Sequence, residues 1–374
     1  MQNLIVSSDL VLPRMLTLMI TNRCNLHCLH CWPGSGSSGD CNHVGKKKLL
    51  WMIRDFCMLG IDKVCLTGGE PLLHPHWFDI VSFSCAQPGM KEVCLQTNGT
   101  LITEKHADKL ASLPHNLTIQ ISLEGSNSRT HDKIRGAGNF KSAMKGIALL
   151  SENGLAKQTR VSLTETKDNF QEIPDLLMLL HAVGISQFTS GTLVHGGRAA
   201  KENGNGLMAP TPLQYEKILH QFHADPTFKE HYVKMANIAP LEWYLGKLTP
   251  SAPGCEFMKN PYVTAAGTLF PCVMFQIDKY AAHHVYSRPL ERTLQKIIPM
   301  WAVVQQQSRH RSEDLQTCRA CPGRSHCRGG CMGRAYMAHG SLMTADTTGP
   351  VAERACPRAK PNFLMHSNYP LVYS

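Results

Sequence analysis

The chain has 374 residues, 43% hydrophobic and 18% charged, and a formal net charge of +10 at pH 7. That length suits one large core or two domains, and no apolar run approaches the roughly 18 residues of a membrane span. A positive balance invites an acidic partner, but no nucleic-acid recognition motif accompanies it, so nucleic acid is not expected.

The first stretch, MQNLIVSSDLVLPRML, lacks a basic leader and is interrupted by Asp9, Pro13 and Arg14. It does not read as a signal peptide, and a cytoplasmic protein is expected. Six strands are then predicted in order: MLTLMIT (15–21), KVCLT (63–67), EVCLQT (92–97), LTIQISL (117–123), RVSLTET (160–166) and SQFTSGTLV (186–194). Between them, amphipathic stretches such as KKLLWMIRDFCMLG (47–60) and NFQEIPDLLMLLHAVG (169–184) predict helices. Apolar strands alternating with helices pair in parallel through right-handed crossovers. Six such units make an α/β fold, an open or partial barrel.

Chemistry on such sheets gathers at the C-terminal ends of the strands. The unusual residues fall there: Cys24 behind strand one, GGEP behind two, NG behind three, EGS behind four and HGGR (195–198) behind six. Residues 199–210 form a polar, glycine-rich connection, and a helix is predicted around 212–224. From about residue 251 short segments, turns and cysteines take over, the texture of a metal-stapled domain. The expected units are 1–210, a connecting segment 211–250, and 251–374.

Fifteen cysteines in a chain without an export signal point to metal rather than disulfides. Cys57, Cys65, Cys85 and Cys94 lie in apolar segments and read as small buried hydrophobes; Cys41 is given no role. Cys24, Cys28 and Cys31, in CNLHCLHC, are one thiolate short of a four-ligand site. Three readings follow: coincidence, zinc completed by His27 or His30, or an iron–sulfur cubane with one iron left open for an exogenous ligand.

CNLHCLHC followed by TGGEP, LQTNG and ISLEG resembles the radical S-adenosylmethionine (SAM) enzymes. The resemblance implies that Cys24, Cys28 and Cys31 hold a 4Fe-4S cluster whose open iron is chelated by SAM. Reductive cleavage of SAM would yield methionine and a 5′-deoxyadenosyl radical. By the same resemblance the backbone of His30 lies near the adenine, and Gly68 and Gly69 let the backbone approach the cofactor. Glu70 would meet the SAM ammonium, while Ser122 and Glu124 would reach the ribose. Arg135, in HDKIRG, meets a carboxylate or forms a surface ion pair. His195 and Arg198 face SAM or substrate, or neither.

The later cysteines, Cys255, Cys272, Cys318, Cys321, Cys327, Cys331 and Cys356, match the SPASM extension of that family. It implies one or two auxiliary iron–sulfur clusters, with Cys255, Cys272 and Cys331 on the first and Cys318, Cys321, Cys327 and Cys356 on the second. The first again counts three ligands, leaving it open to substrate or completed by a residue such as Glu256 or Asp278. Val273 follows Cys272 where sulfatase-maturing members carry an Asp. Each cluster with four thiolates carries a net charge of about −2, which offsets part of the basic excess.

The implied activity is that of a maturase acting on a ribosomally made peptide or protein, by oxidation, crosslinking (a thioether, for example) or epimerisation. The implied partners are an electron donor such as a flavodoxin or ferredoxin and a separate leader-binding protein. Tetrapyrrole or small-cofactor biosynthesis is the enzymatic alternative, and an iron–sulfur carrier or sensor the non-enzymatic one. The sequence identifies no catalytic base.

Overall fold

All six predicted strands form, and each pairs with its sequence neighbour in parallel. The computed structural model describes residues 13–36, 43–200, 206–237, 257–319 and 329–344. The strands are β1 (Met15–Thr21), β2 (Lys63–Gly68), β3 (Glu92–Thr97), β4 (Leu117–Ser122), β5 (Thr159–Glu165) and β6 (Gln187–Thr192). β1 is buried along almost its whole length, as a strand covered on both faces must be. β4 and β5 alternate instead. Ile119, Ile121, Val161 and Leu163 enter the core, while Gln120, Ser122, Ser162 and Thr164 remain half-buried on the opposite, inner face.

The outer face is covered by α1 (Lys46–Met58), α2 (Trp77–Cys85), α3 (Glu104–Ala111), α4 (Ser128–Arg135), α5 (Asn139–Glu152) and α6 (Ile173–Ala182). α1 buries Leu49, Met52, Ile53 and Phe56. Their spacing of three, one and three draws one apolar stripe on a helix, and each such side chain contributes about 1.5–3 kcal/mol when fully buried. Asn127 caps α4 by accepting from the Thr130 N–H. α6 follows a short 3₁₀ turn, Phe170–Glu172, and carries Pro174 in its first turn, where the missing N–H is not needed.

The sheet grows at both edges. α7 (Pro212–Ala224) and α8 (Pro226–Met235) lead into β7 (Ala236–Asn237), parallel to β6. Tyr215, Ile218, Phe222, Phe228 and Tyr232 from these helices join the main core. At the other edge β8 (Tyr262–Val263) lies parallel to β1 and folds back into antiparallel β9 (Leu269–Phe270). Gly267 makes that turn at φ +81°, a conformation a Cβ would strain. A long helix, α9 (Leu290–Asp314), adds Ile297, Trp301 and Val304 to the same core. The strand order is β7-β6-β5-β4-β3-β2-β1-β8-β9, so the cysteine-rich region begins on the sheet itself. Cys65, Cys85 and Cys94 are buried and Cys57 half-buried; Cys41 lies outside the described residues. No described helix is long and apolar enough to cross a membrane.

Candidate active site

The loop carrying Cys24, Cys28 and Cys31 leaves β1 at Thr21 and is tied down from four directions. The Gly69 and Glu70 N–H groups, just past β2, donate to the carbonyls of Thr21 and Arg23 at 2.8 and 2.7 Å. From the end of β3, the Asn98 amide donates to Asn25 Oδ1 and Asn25 in turn to Thr100 Oγ1, both at 2.9 Å. The Leu29 N–H reaches the Ile134 carbonyl on α4 at 2.9 Å. After β6, Arg198 clamps the far side, donating from Nε to the Cys28 carbonyl at 2.8 Å and from Nη1 to the Ser35 carbonyl at 2.7 Å.

Glycines set how closely these pieces approach. A Cβ on Gly68 would lie 2.5 Å from the Thr21 carbonyl oxygen, and one on Gly69 only 2.2 Å from that of Arg23. In the fold it is therefore the start of the cysteine loop that these two glycines admit. The same holds for Gly196 and Gly197. A Cβ on the first would strike the Trp32 ring at 2.1 Å, and one on the second the Trp32 carbonyl at 2.2 Å. Sequence reading singled out His195 and Arg198 in HGGR and passed over the two glycines; a Gly pair behind a strand end was the available signal. His195 is half-buried in that turn.

Glu70 is fully buried and accepts from the Leu72 N–H, the Thr97 hydroxyl and the Asn98 N–H at 3.0, 2.7 and 2.8 Å. Burial pushes its carboxyl up, against those three donors. The group thus joins β2 to β3 whatever else it holds.

Glu124, also fully buried, faces Arg135 and His30. Its Oε1 lies 2.5 Å from Arg135 Nη2 and 2.9 Å from His30 Nε2, and its Oε2 accepts from the Thr164 N–H at 2.8 Å. Burial alone would raise this carboxyl, but Arg135 and His30 outweigh it and hold it well below the usual carboxylate range. The ion pair that Arg135 forms with Glu124 is buried rather than on the surface, with only 10% of the arginine side chain exposed. Its Nη1 also lies 3.7 Å from Cys28 Sγ. His131 is buried and accepts the Glu124 N–H at Nδ1, 3.0 Å away; burial and Arg135 push its pKa down to about 4, which keeps that nitrogen an acceptor. Ser122, by contrast, is half-buried on the inner face beside Ser162 of β5.

The model of the Radical SAM superfamily matches residues 18–197, from β1 to the Gly196–Gly197 turn. The chain carries a radical SAM domain over that stretch. It is 27% identical to an AdoMet-dependent heme synthase of Methanosarcina barkeri over 88% of this chain and 94% of that protein. It is 28% identical to the antilisterial bacteriocin subtilosin biosynthesis protein AlbA of Bacillus subtilis, over 72% of this chain and 57% of AlbA. Streptococcus suis SuiB bound to S-adenosylmethionine shares the fold with a TM-score of 0.69 at 18% identity, covering 89% of this chain and 76% of SuiB.

The donor set fits the cluster that a radical SAM domain implies. Three thiols stand in one loop, and His30 Nδ1 and Trp32 Nε1 beside them are buried without a hydrogen-bond partner among the described residues. Among the described residues no three His, Cys, Asp or Glu side chains converge as ligands of a single ion do; thiolates on three separate irons have no need to. Burial pushes the Cys24 thiol up to about 11 and raises Cys28 despite Arg135, so iron must displace both protons.

Of the later cysteines, Cys272, Cys318 and Cys331 are described; Cys255, Cys321, Cys327 and Cys356, like Glu256, lie outside the described residues. Cys272 and Cys331 sit on adjoining backbone. Gly333, in the helix Met332–His339 that follows Cys331, presses on the Met274 carbonyl, where a Cβ would lie at 1.8 Å. Buried Arg311 of α9 donates to the carbonyls of Gly329, Gly330, Leu342 and Thr344 and so fixes the segment around Cys331. The Asp278 side chain is 87% exposed and pairs with His283 at 3.2 Å.

The Arg198 clamp has a testable consequence. Arg198→Ala removes two charge-assisted bonds to the loop, each contributing about 1.5–3 kcal/mol. Iron held by that loop is expected to leave several-fold faster under a chelator, followed by the loss of cluster absorbance, with Arg198→Lys intermediate. Equal rates in all three proteins would remove the clamp from the account.

Proposed function

We propose that this chain is a radical SAM maturase of a ribosomally made peptide. Cys24, Cys28 and Cys31 would hold a 4Fe-4S cluster, SAM would complete its fourth iron, and together they would supply a 5′-deoxyadenosyl radical. Around them Ser122 offers a hydroxyl on the inner face toward the ribose. Glu70 keeps a free lone-pair direction for the ammonium. His30 and Arg135 would approach SAM from the Glu124 side. Cys255, Cys272 and Cys331, and the set Cys318, Cys321, Cys327 and Cys356, would carry auxiliary clusters able to accept the electron of a substrate radical. A flavodoxin or ferredoxin would supply electrons, and a separate protein could present the leader.

One observation carries the choice of substrate. The inner face is lined by Gln96, Gln120, Ser122 and Ser162, all half-buried and uncharged. Arg160, on the same face of β5, lies 3.6 Å from Glu92. Such a surface matches the neutral donors and acceptors of peptide amides. The relatives include AlbA and a mycofactocin maturase, and SuiB has been solved bound to precursor peptide SuiA. A second reading, toward a heme precursor, is favoured by the nearly full-length match to the heme synthase.

The test is 5′-deoxyadenosine formation by anaerobically reconstituted protein given SAM and reductant, beside Cys24→Ala, followed by mass analysis of candidate substrates. Product from the wild type alone, with a peptide losing a pair of hydrogens, is expected. Turnover of a carboxylate-bearing tetrapyrrole with peptides untouched would select the second reading.

A further inference from the structure

The sheet edge beyond β9 borders a groove whose lining includes none of Cys24, Cys28 and Cys31. Ala282 pairs antiparallel with Leu269, exchanging bonds of 2.8 and 2.9 Å. In such a pair the flanking residues turn their backbone groups away from the partner strand. Among the described residues, the Ala281 carbonyl and the His283 N–H and carbonyl have no hydrogen-bond partner. His284, left-handed at φ 61°, then turns the chain, and α9 returns alongside this edge. Between them lies a cleft of about 560 Å³, with Ala282 and His283 on one wall and Arg288, Arg292 and Lys296 on the other.

The three cations are exposed, and among the described residues none has a carboxylate partner. Among the described residues no carboxylate lines the cleft, and Asp278 outside it pairs with His283 at 3.2 Å. Their spacing is informative. Arg292 and Lys296 stand one turn apart, about 6 Å along the helix, and alternate side chains of an extended strand repeat at roughly 6.6–6.8 Å. A strand laid on the open edge would therefore present every second side chain close to the charge spacing of α9.

We propose that this groove binds an acidic, extended segment of the substrate peptide. The segment adds a strand to the Ala281–His283 edge and pairs alternate carboxylates with Arg288, Arg292 and Lys296. This rests on the peptide-maturase reading and gives that substrate a recognition surface within the chain itself. RNA or another polyanion would use the cations and ignore the backbone edge.

The experiment is fluorescence anisotropy with a labelled decapeptide of alternating Glu and Thr, on the iron-loaded full chain without SAM. Saturable, salt-sensitive binding is expected. It should weaken about tenfold or more in Arg292→Glu/Lys296→Glu, and about as much for an isomer with its Glu and Thr in separate blocks. Formation of 5′-deoxyadenosine should be unchanged in the double variant, which shows that it folds. Arg292→Gln/Lys296→Gln should fall between the two proteins. Absence of binding by the wild type, equal binding by the double variant, or equal binding of the block isomer or a uridine decanucleotide would overturn the proposal. Groove binding without modification of any peptide would support the groove and sink the maturase reading. A peptide modified with the same KM by the double variant would sink the groove alone.

Discussion

With Arg135 replaced by alanine, the free energy of unfolding is expected to fall by roughly 3–5 kcal/mol near neutral pH, the usual cost of stranding one member of a buried ion pair. The partner left behind is Glu124, whose side chain is 1% exposed. The pH dependence follows from the direction of its shift. In the wild type its folded pKa is depressed, so its stabilisation is complete above the unfolded value of about 4.3. That contribution is lost only as pH falls through the folded value. Without Arg135, burial is the largest remaining influence and raises the carboxyl. A raised carboxyl costs stability in full above its folded pKa, and the cost disappears below the unfolded one. The variant's deficit is therefore largest at neutral pH and narrows on acidification. Urea titrations at pH of about 7.5 and about 5, in proteins of matched iron content, measure it. Glu124→Gln combined with Arg135→Met should recover much of the loss, because both charges are gone. A deficit below about 1 kcal/mol, or one that widens in acid, would mean that the pair is not held as described.

That pair marks where sequence reading stops. The strands were legible because parallel strands are apolar runs, and the bounds of β1 and β3 agree to the residue. The three thiols, GGEP and the strand-end positions of Ser122 and Glu124 were legible because their spacing is local. The partners were not. Arg135 reads as a carboxylate's partner or half of a surface ion pair until the fold sets it against buried Glu124 and Cys28. The contact of Gly196 and Gly197 with Trp32 joins loops more than 160 residues apart, and no periodicity encodes it. β7, β8 and β9 have two residues each, too few to show alternation. So the sequence left the segments on either side of residue 250 outside the sheet they join. Four of the seven later cysteines lie outside the described residues, and their pairing into clusters stays with the family pattern.

The glycine contacts lead to the sharpest expectation for the site. Gly69 has no positive φ to explain it; what excludes a side chain there is the Arg23 backbone, with the carbonyl oxygen at 2.2 Å and the carbon at 2.5 Å from an added Cβ. Neither atom belongs to a flexible side chain, so Gly69→Ala must displace the first residues of the cysteine loop. The bonds to the Thr21 and Arg23 carbonyls would stretch or break with it. Overpacking of this kind costs about 1–3 kcal/mol, modest for the whole fold. Concentrated in the loop that carries Cys24, it is enough to spoil a three-thiol geometry that requires all its members at once. Gly69→Ala is therefore expected to keep most of its melting cooperativity. It should lose the iron of the three-cysteine site and 5′-deoxyadenosine formation with it. Gly45→Ala is the control: nothing lies within 4 Å of a Cβ there, φ is −57°, and, at the N-cap of α1, the change should cost no more than about 1 kcal/mol. Iron analysis and SAM cleavage in the two variants decide the matter. Wild-type iron and turnover in Gly69→Ala would show that the loop is placed by something other than its contact with the end of β2.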